Sequence, residues 1–171
     1  MDTYDAIVTK LDVREFSDRH VEDKIKTRIL QAARYTGSSS NSQHWRFILV
    51  QDKKNLATLA QDSTTGLWVK NADFAVIINI DPKIPASSID AGRVLQDMEL
   101  AAWDFGVVSR IFTGFKEPDL RRDFGIPQEL KLAAVLGFGY PVRKIKGKKS
   151  RKPLEELVFA ESYGKPYHPA E

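Results

Sequence analysis

Cysteine is absent from the 171-residue chain. That removes disulfides, thiol nucleophiles, thiolate-bound zinc and iron–sulfur clusters together. Histidine is scarce, and His20, His44 and His168 lie far apart with no ligand-like spacing, so no metal site is expected. No apolar run is long: Phe74 to Ile80 is far too short to cross a bilayer. The opening Met1-Asp2-Thr3-Tyr4-Asp5 has neither the basic region nor the apolar stretch of a signal peptide. The expectation is a cytoplasmic protein without a membrane partner. No Gly-x-Ser-x-Gly, Walker loop or metalloprotease helix is present. An enzyme with this inventory draws its difficult chemistry from an organic cofactor.

What is present describes a globular chain, 42% hydrophobic and 29% charged. Its length suits one domain over residues 1–171, with 143–171 a basic segment and C-terminal extension, and buries roughly 70% of the unfolded surface. The formal net charge is +3, but seven of the ten residues from Arg143 to Lys152 are basic. Without those seven, 19 basic residues face 23 acidic ones. The segment reads either as a solvated loop or as an anion site, for phosphate or for nucleic acid.

Periodicity alternates helix and strand. Helices are predicted over Tyr4–Leu11, Val21–Tyr35, Lys53–Gln61, Ser87 or Ser88 to Phe105, and Pro118–Phe124. Strands are predicted over Phe47–Val50, Phe74–Ile80, Val107–Phe112 and Leu132–Gly137. In the long helix Ile89, Leu95, Met98, Ala102 and Phe105 read as inward, with Gly106 as the stop. Val94, Leu100 and Trp103 fall off that face, so more than one side is expected to be covered. A second subunit and a central core helix explain this equally well.

Four segments could carry a site. In Lys10-Leu11-Asp12-Val13-Arg14 the two cations lie one turn apart if the first helix extends so far; alone this is ordinary surface charge. Ser38-Ser39-Ser40-Asn41-Ser42-Gln43 offers short hydrogen-bonding groups suited to hydroxyls or a heterocycle edge, or is a polar connector; His44 beside it reads as structural. Thr113-Gly114 follows a strand, where a glycine admits a ligand close to the main chain or simply makes a turn. Lys149 and Arg151, one residue apart in an extended chain, could grip one phosphate. Gly137-Phe138-Gly139 leads to Tyr140-Pro141 and not to a helix, so it is no dinucleotide fingerprint.

Taken in order, these segments resemble the nitroreductase family of FMN-dependent flavoproteins. Ser38-x-x-Asn41-x-Gln43-His44-Trp45-Arg46-Phe47 is close to that family's Pro-Ser-x-x-Asn-x-Gln-Pro-Trp-Arg-Phe signature. Val13-Arg14-Glu15-Phe16, Asn71 to Ile78, Leu95 to Gly106, Leu136 to Pro141 and Lys149 to Glu156 resemble five further family segments in register. The resemblance implies an α+β fold, a central, mostly antiparallel sheet flanked by helices, in an intertwined homodimer with flavin sites at the interface. It implies FMN as cofactor, NAD(P)H as donor and a small electron-poor acceptor such as a nitroaromatic or quinone. Nucleic acid is not an implied partner.

Carried over, Lys10, Leu11, Asp12 and Arg14, with Lys149 and Arg151, would form the phosphate end. Ser38, Ser39 and Asn41 would reach the flavin from the partner, and Thr113 and Gly114 would bring backbone N–H groups near flavin N5. No protein side chain is implied as a catalytic acid or base. The family's usual first motif is Arg-Arg-Ser or Arg-His-Ser, and here it reads Lys10-Leu11-Asp12. A carboxylate therefore stands where a hydroxyl would meet phosphate, which weakens FMN binding unless Asp12 turns away or pairs with Arg14. Other readings use the same fold for dehalogenation or ring oxidation, or make the chain a binding protein that uses its 143–152 run.

Overall fold

The structure, a computed structural model, describes residues 2–168; the last three positions of the C-terminal extension lie outside them. The helices are α1 (Thr3–Thr9), α2 (Asp23–Tyr35), α3 (Lys53–Gln61), α4 (Ser87–Asp104) and α5 (Glu117–Phe124). The strands are β1 (Arg46–Val50), β2 (Phe74–Ile80), β3 (Val108–Phe112) and β4 (Lys131–Gly139). Short 3₁₀ turns cover Ser39–Asn41, Leu67–Asn71 and Leu154–Glu156.

The four strands form one antiparallel sheet in the order β1-β2-β4-β3. All seven residues of β2 are buried, because helices cover both faces and alternate side chains enter two different cores. Phe74, Val76, Ile78 and Ile80 pack with Ile25 and Ile29 of α2 and with Val94, Met98 and Ala102 of α4. Ala75 and Ile77 pack on the other face with Leu56 and Leu59 of α3 and Leu120 of α5. The result is the expected α+β arrangement of a sheet flanked by helices.

Local chemistry explains the boundaries. Asp2 caps α1 and Asp52 caps α3, each accepting two main-chain N–H bonds. Gly106, with φ of +71°, ends α4 in a conformation that side-chain-bearing residues avoid. Two expectations fail. Helix α1 stops at Thr9 and does not reach Leu11, because Lys10 turns into extended backbone (φ −56°, ψ 127°) and Asp12 makes a parallel bridge to Ser109. Lys10 and Arg14 are thus not one helical turn apart. In α4, Ile89 and Phe105 point outward, 71% and 41% exposed, whereas Val94 is fully buried. The helix turns the row Asp90, Ala91, Val94, Met98 and Ala102 inward, so its inner face joins four apolar side chains to one buried acid.

Candidate functional site

The chain after α1 runs beside the free edge of β3. Val13 donates its N–H to the Ser109 carbonyl (3.0 Å), which extends the sheet by a short parallel segment carrying Asp12 and Arg14. At its start Lys10 is buried, with Nζ 2.5 Å from Asp12 Oδ1 and 2.8 Å from Glu99 Oε1. Glu99 is equally buried on α4 and accepts a further bond from Ser109 Oγ (3.1 Å). Its placement follows from helix geometry: it lies about 140° around α4 from Val94, on the side opposite the main core.

The basic segment returns to this place. Lys10, Leu11, Asp12, Gln96, Glu99, Lys149 and Arg151 line one cavity of about 600 Å³. Lys149 donates to the Ile7 carbonyl and Arg151 to the Ser150 carbonyl (2.7 Å). Partial burial, with Arg151 and Lys10 close by, holds the Lys149 ammonium below the usual lysine range. Asp12 also lines a second cavity of about 750 Å³ with Arg14, Arg110, Pro141 and Arg143. Arg14 belongs to this neighbour and not to the Lys10 cavity.

Strand β3 leads from Ser109 towards Thr113 and Gly114, about 13 and 17 Å farther on at the strand rise. There the main chain is tightly packed: a Cβ on Gly114 would stand 2.4 Å from Thr64 Oγ1 and 2.6 Å from Thr65 Oγ1. Gly114 donates its N–H to Thr65 Oγ1 (3.2 Å) and accepts from Thr64 N–H (2.9 Å). Asp62, just before these threonines, is buried. Burial, then the neighbouring carboxylates Asp123 and Asp119, push its carboxyl above the usual range.

Ser38, Ser39 and Asn41 do not join this group. Their loop is tied to the other end of α4, where Asp90 Oδ2 accepts from Ser39 N–H (2.9 Å) and meets His44 Nε2 (3.2 Å). The Ser39 N–H first, and His44 next, hold the Asp90 carboxyl below the usual range. Ser38 Oγ accepts from Gln43 N–H (2.9 Å). Ser40, Asn41 and Gln43 all have positive φ, 51°, 53° and 45°, a cluster of left-handed residues of the kind stored at functional sites. Nine residues of α4 separate Asp90 from Glu99, about 13.5 Å along the axis and half a turn around it. His44 is structural here, as expected.

Asp90, Glu99, Ser109 and Arg110 escaped the sequence reading. An acid inside an amphipathic helix reads as solvent face. The one signal was spacing, since Asp90 precedes Val94 and Met98 by whole helical turns. Among the described residues no cluster of His, Asp and Glu is placed to hold a metal, and no helix is long and apolar enough to cross a membrane.

Known proteins share this architecture. The structure of an FMN-dependent nitroreductase from Clostridium difficile R20291 superposes with a TM-score of 0.83, covering 91% of this chain and 96% of its own at 24% identity. The structure of B. megaterium NfrA2 superposes with a TM-score of 0.86, over 96% of this chain and 76% of its own, also at 24% identity. In sequence, an Archaeoglobus fulgidus relative whose name pairs NADH dehydrogenase with NAD(P)H nitroreductase is 30% identical over 144 residues, 79% of this chain and 83% of its own length. The model of the nitroreductase family matches residues 7–84 and 68–140. The chain therefore belongs to the nitroreductase family, a family of oxidoreductases.

Proposed function

We propose that the protein is an FMN-dependent oxidoreductase that takes hydride from NAD(P)H and passes it to a small electron-poor acceptor, in a homodimer that completes each flavin site. The observation that carries this reading is the meeting of Lys10 with Lys149 and Arg151 on one cavity, from segments at opposite ends of the chain. Lys149 and Arg151 donate to main-chain carbonyls, so their charge remains available to a phosphate.

When bound, FMN would supply the hydride chemistry at N5, accepting two electrons from the nicotinamide and releasing them to the acceptor in a second half-reaction. The chain's own work is to hold and orient. Lys149 and Arg151 anchor the phosphate, with Lys10 behind them; Leu11 and Asp12 form the adjoining wall. Arg14 and Arg110 stand in the neighbouring cavity, where positive charge favours an electron-rich ring. Thr113 and Gly114 present main chain at the far end of β3, and Gly114 lacks a side chain because Thr64 and Thr65 leave no room for one.

Two features of the single copy support the dimer. Ser38, Ser39 and Asn41 sit on the opposite side of α4 from the cation cavity, so a flavin touching both sets needs two chains. Ile89 and Phe105 of α4, with Tyr4, Ile7 and Val8 of α1, present apolar side chains outward, as an interface requires.

The test is a visible absorption spectrum of the purified protein after FMN addition and desalting. Retained flavin bands, bleached by NADH or NADPH and restored by an added quinone, are the expected result. A protein that remains colourless and quenches no flavin fluorescence would refute the reading. A salt-sensitive complex with nucleic acid would instead favour the binding-protein alternative.

A further inference from the structure

The ion pairs around Lys10 are unequal. Glu99 is as buried as Lys10 itself, at 9% side-chain exposure each, and is braced by Ser109. Together they are a constitutive buried pair, and Glu99 alone neutralises the lysine. Asp12 is the outer partner: its side chain is 47% exposed, and it lines both cavities. Its charge is therefore not needed to compensate Lys10. Around this end of the cavity Lys10, Lys148, Lys149 and Arg151 face Asp12 and Glu99. Asp12 is the carboxylate that a phosphate entering between Lys10 and Arg151 would meet.

We propose that Asp12 is a specificity-determining residue of this cavity: it occupies on Lys10 the place a phosphate oxygen would take, and so narrows the preference for FMN over riboflavin that Lys149 and Arg151 supply. The inference rests on the flavin reading given above and adds to it the residue that sets the preference between the two flavins. The cause is Coulombic. A carboxylate standing against a phosphate dianion repels it, while the uncharged ribityl end of riboflavin is indifferent to it. Asp12 also takes one of the three Lys10 ammonium donors, leaving fewer for a phosphate.

The experiment measures dissociation constants of FMN and riboflavin by quenching of flavin fluorescence, with the full chain and three variants. Asp12→Asn and Asp12→Ser remove the charge; Asp12→Glu keeps it and controls for shape. FMN affinity is expected to rise roughly 10- to 30-fold in the two neutral variants, the scale of a unit charge facing a dianion across about 5 Å of water-like dielectric. Riboflavin affinity is expected to stay within about twofold, and Asp12→Glu to resemble the parent, since neither the ring contacts nor the local charge changes. FMN affinity unchanged in both neutral variants, or rising equally for riboflavin, would overturn the proposal and leave the flavin site standing. If no variant binds either flavin, the flavin reading itself falls, and this inference with it. Unfolding curves of each variant show that the comparison is made between folded proteins.

Discussion

Asp90 offers the sharpest test of how the loop carrying Ser38, Ser39 and Asn41 is held. Its carboxylate is buried at 2% exposure and accepts from Ser39 N–H at 2.9 Å while meeting His44 Nε2 at 3.2 Å. Arg93 stands 3.6 Å away, but its side chain is 53% exposed, so its attraction is largely screened. Replacing Asp90 by alanine has two unequal consequences. The Ser39 N–H belongs to an exposed residue and can turn to water, losing a net bond of about 1 kcal/mol. The His44 ring is buried and cannot, so an unsatisfied donor adds about 1–3 kcal/mol. Asp90→Ala should thus destabilise the protein by about 3 kcal/mol, lowering Tm by roughly 6–12 °C in a chain of this size. Asp90→Asn keeps the shape and one acceptor, and should cost about half as much.

The pH dependence carries its own sign. Because the folded carboxyl lies below its ordinary range, the contribution of Asp90 is complete above the unfolded carboxylate pKa and fades as pH falls through the lower folded value. The gap between parent and Asp90→Asn in urea unfolding should therefore be full at pH 7 and shrink toward pH 3. His44→Phe should lose part of the same energy, and the double variant should cost less than the sum. A difference below about 0.5 kcal/mol at pH 7, or strict additivity with His44→Phe, would refute the argument, since residues sharing one network do not act independently.

Other outcomes follow from the same structure. Gly114→Ala places a methyl against Thr64 and Thr65 hydroxyls and should cost about 1–3 kcal/mol by overpacking; co-substitution of both threonines by serine, read by thermal unfolding, should recover only part, because the hydroxyls remain. Glu99→Leu strands the buried Lys10 with Asp12 as its sole counter-charge and should cost about 3 kcal/mol, measured by urea denaturation; a neutral outcome would mean that Lys10 has moved to solvent. Asp62 has the opposite sign from Asp90. Its folded carboxyl is raised, so its favourable contribution exists below the unfolded pKa and is lost as pH rises. Asp62→Asn should raise Tm by a few degrees at pH 7 and by nothing near pH 4. Ile89→Asp, on the outward side of α4, should leave monomer stability intact and lower the mass measured by light scattering from dimer to monomer.

Much of the fold was legible because a single physical rule dominates each element. The unbroken apolar run of β2 can exist only where both faces of a sheet are covered, and all seven residues are indeed buried. The helix expected over Lys53–Gln61 has those bounds, and the structure adds Asp52, whose carboxylate answers unsatisfied N–H groups at its start. Gly106 stops α4 because few other residues accept its φ. The six family segments were legible for a different reason: residue identity in register carries ancestry, and the family match over residues 7–140 takes in four of them whole and Leu136 to Pro141 but for its last residue, while Lys149 to Glu156 lies beyond it.

The site depended on contacts that local rules do not see. Asp12 is only two residues from Lys10, but nothing near Lys10 says that Glu99 is its buried counter-ion, because Glu99 arrives from a helix almost ninety positions later in the chain. The same ignorance misplaced Ile89 and Phe105, since hydrophobicity states what a side chain prefers and only the packing of α4 on α2 and the sheet decides which side chains are granted it. By itself the sequence determined which segments are helix or strand, the alternation that buries the sheet on both sides, and the family. Tertiary structure alone decided that Lys10, Lys149 and Arg151 share one cavity while Ser38, Ser39 and Asn41 lie across α4 from it. The physical reason is range: caps, turns and periodicity act within a few residues, whereas charge compensation and cavity walls are made between residues that only folding brings together.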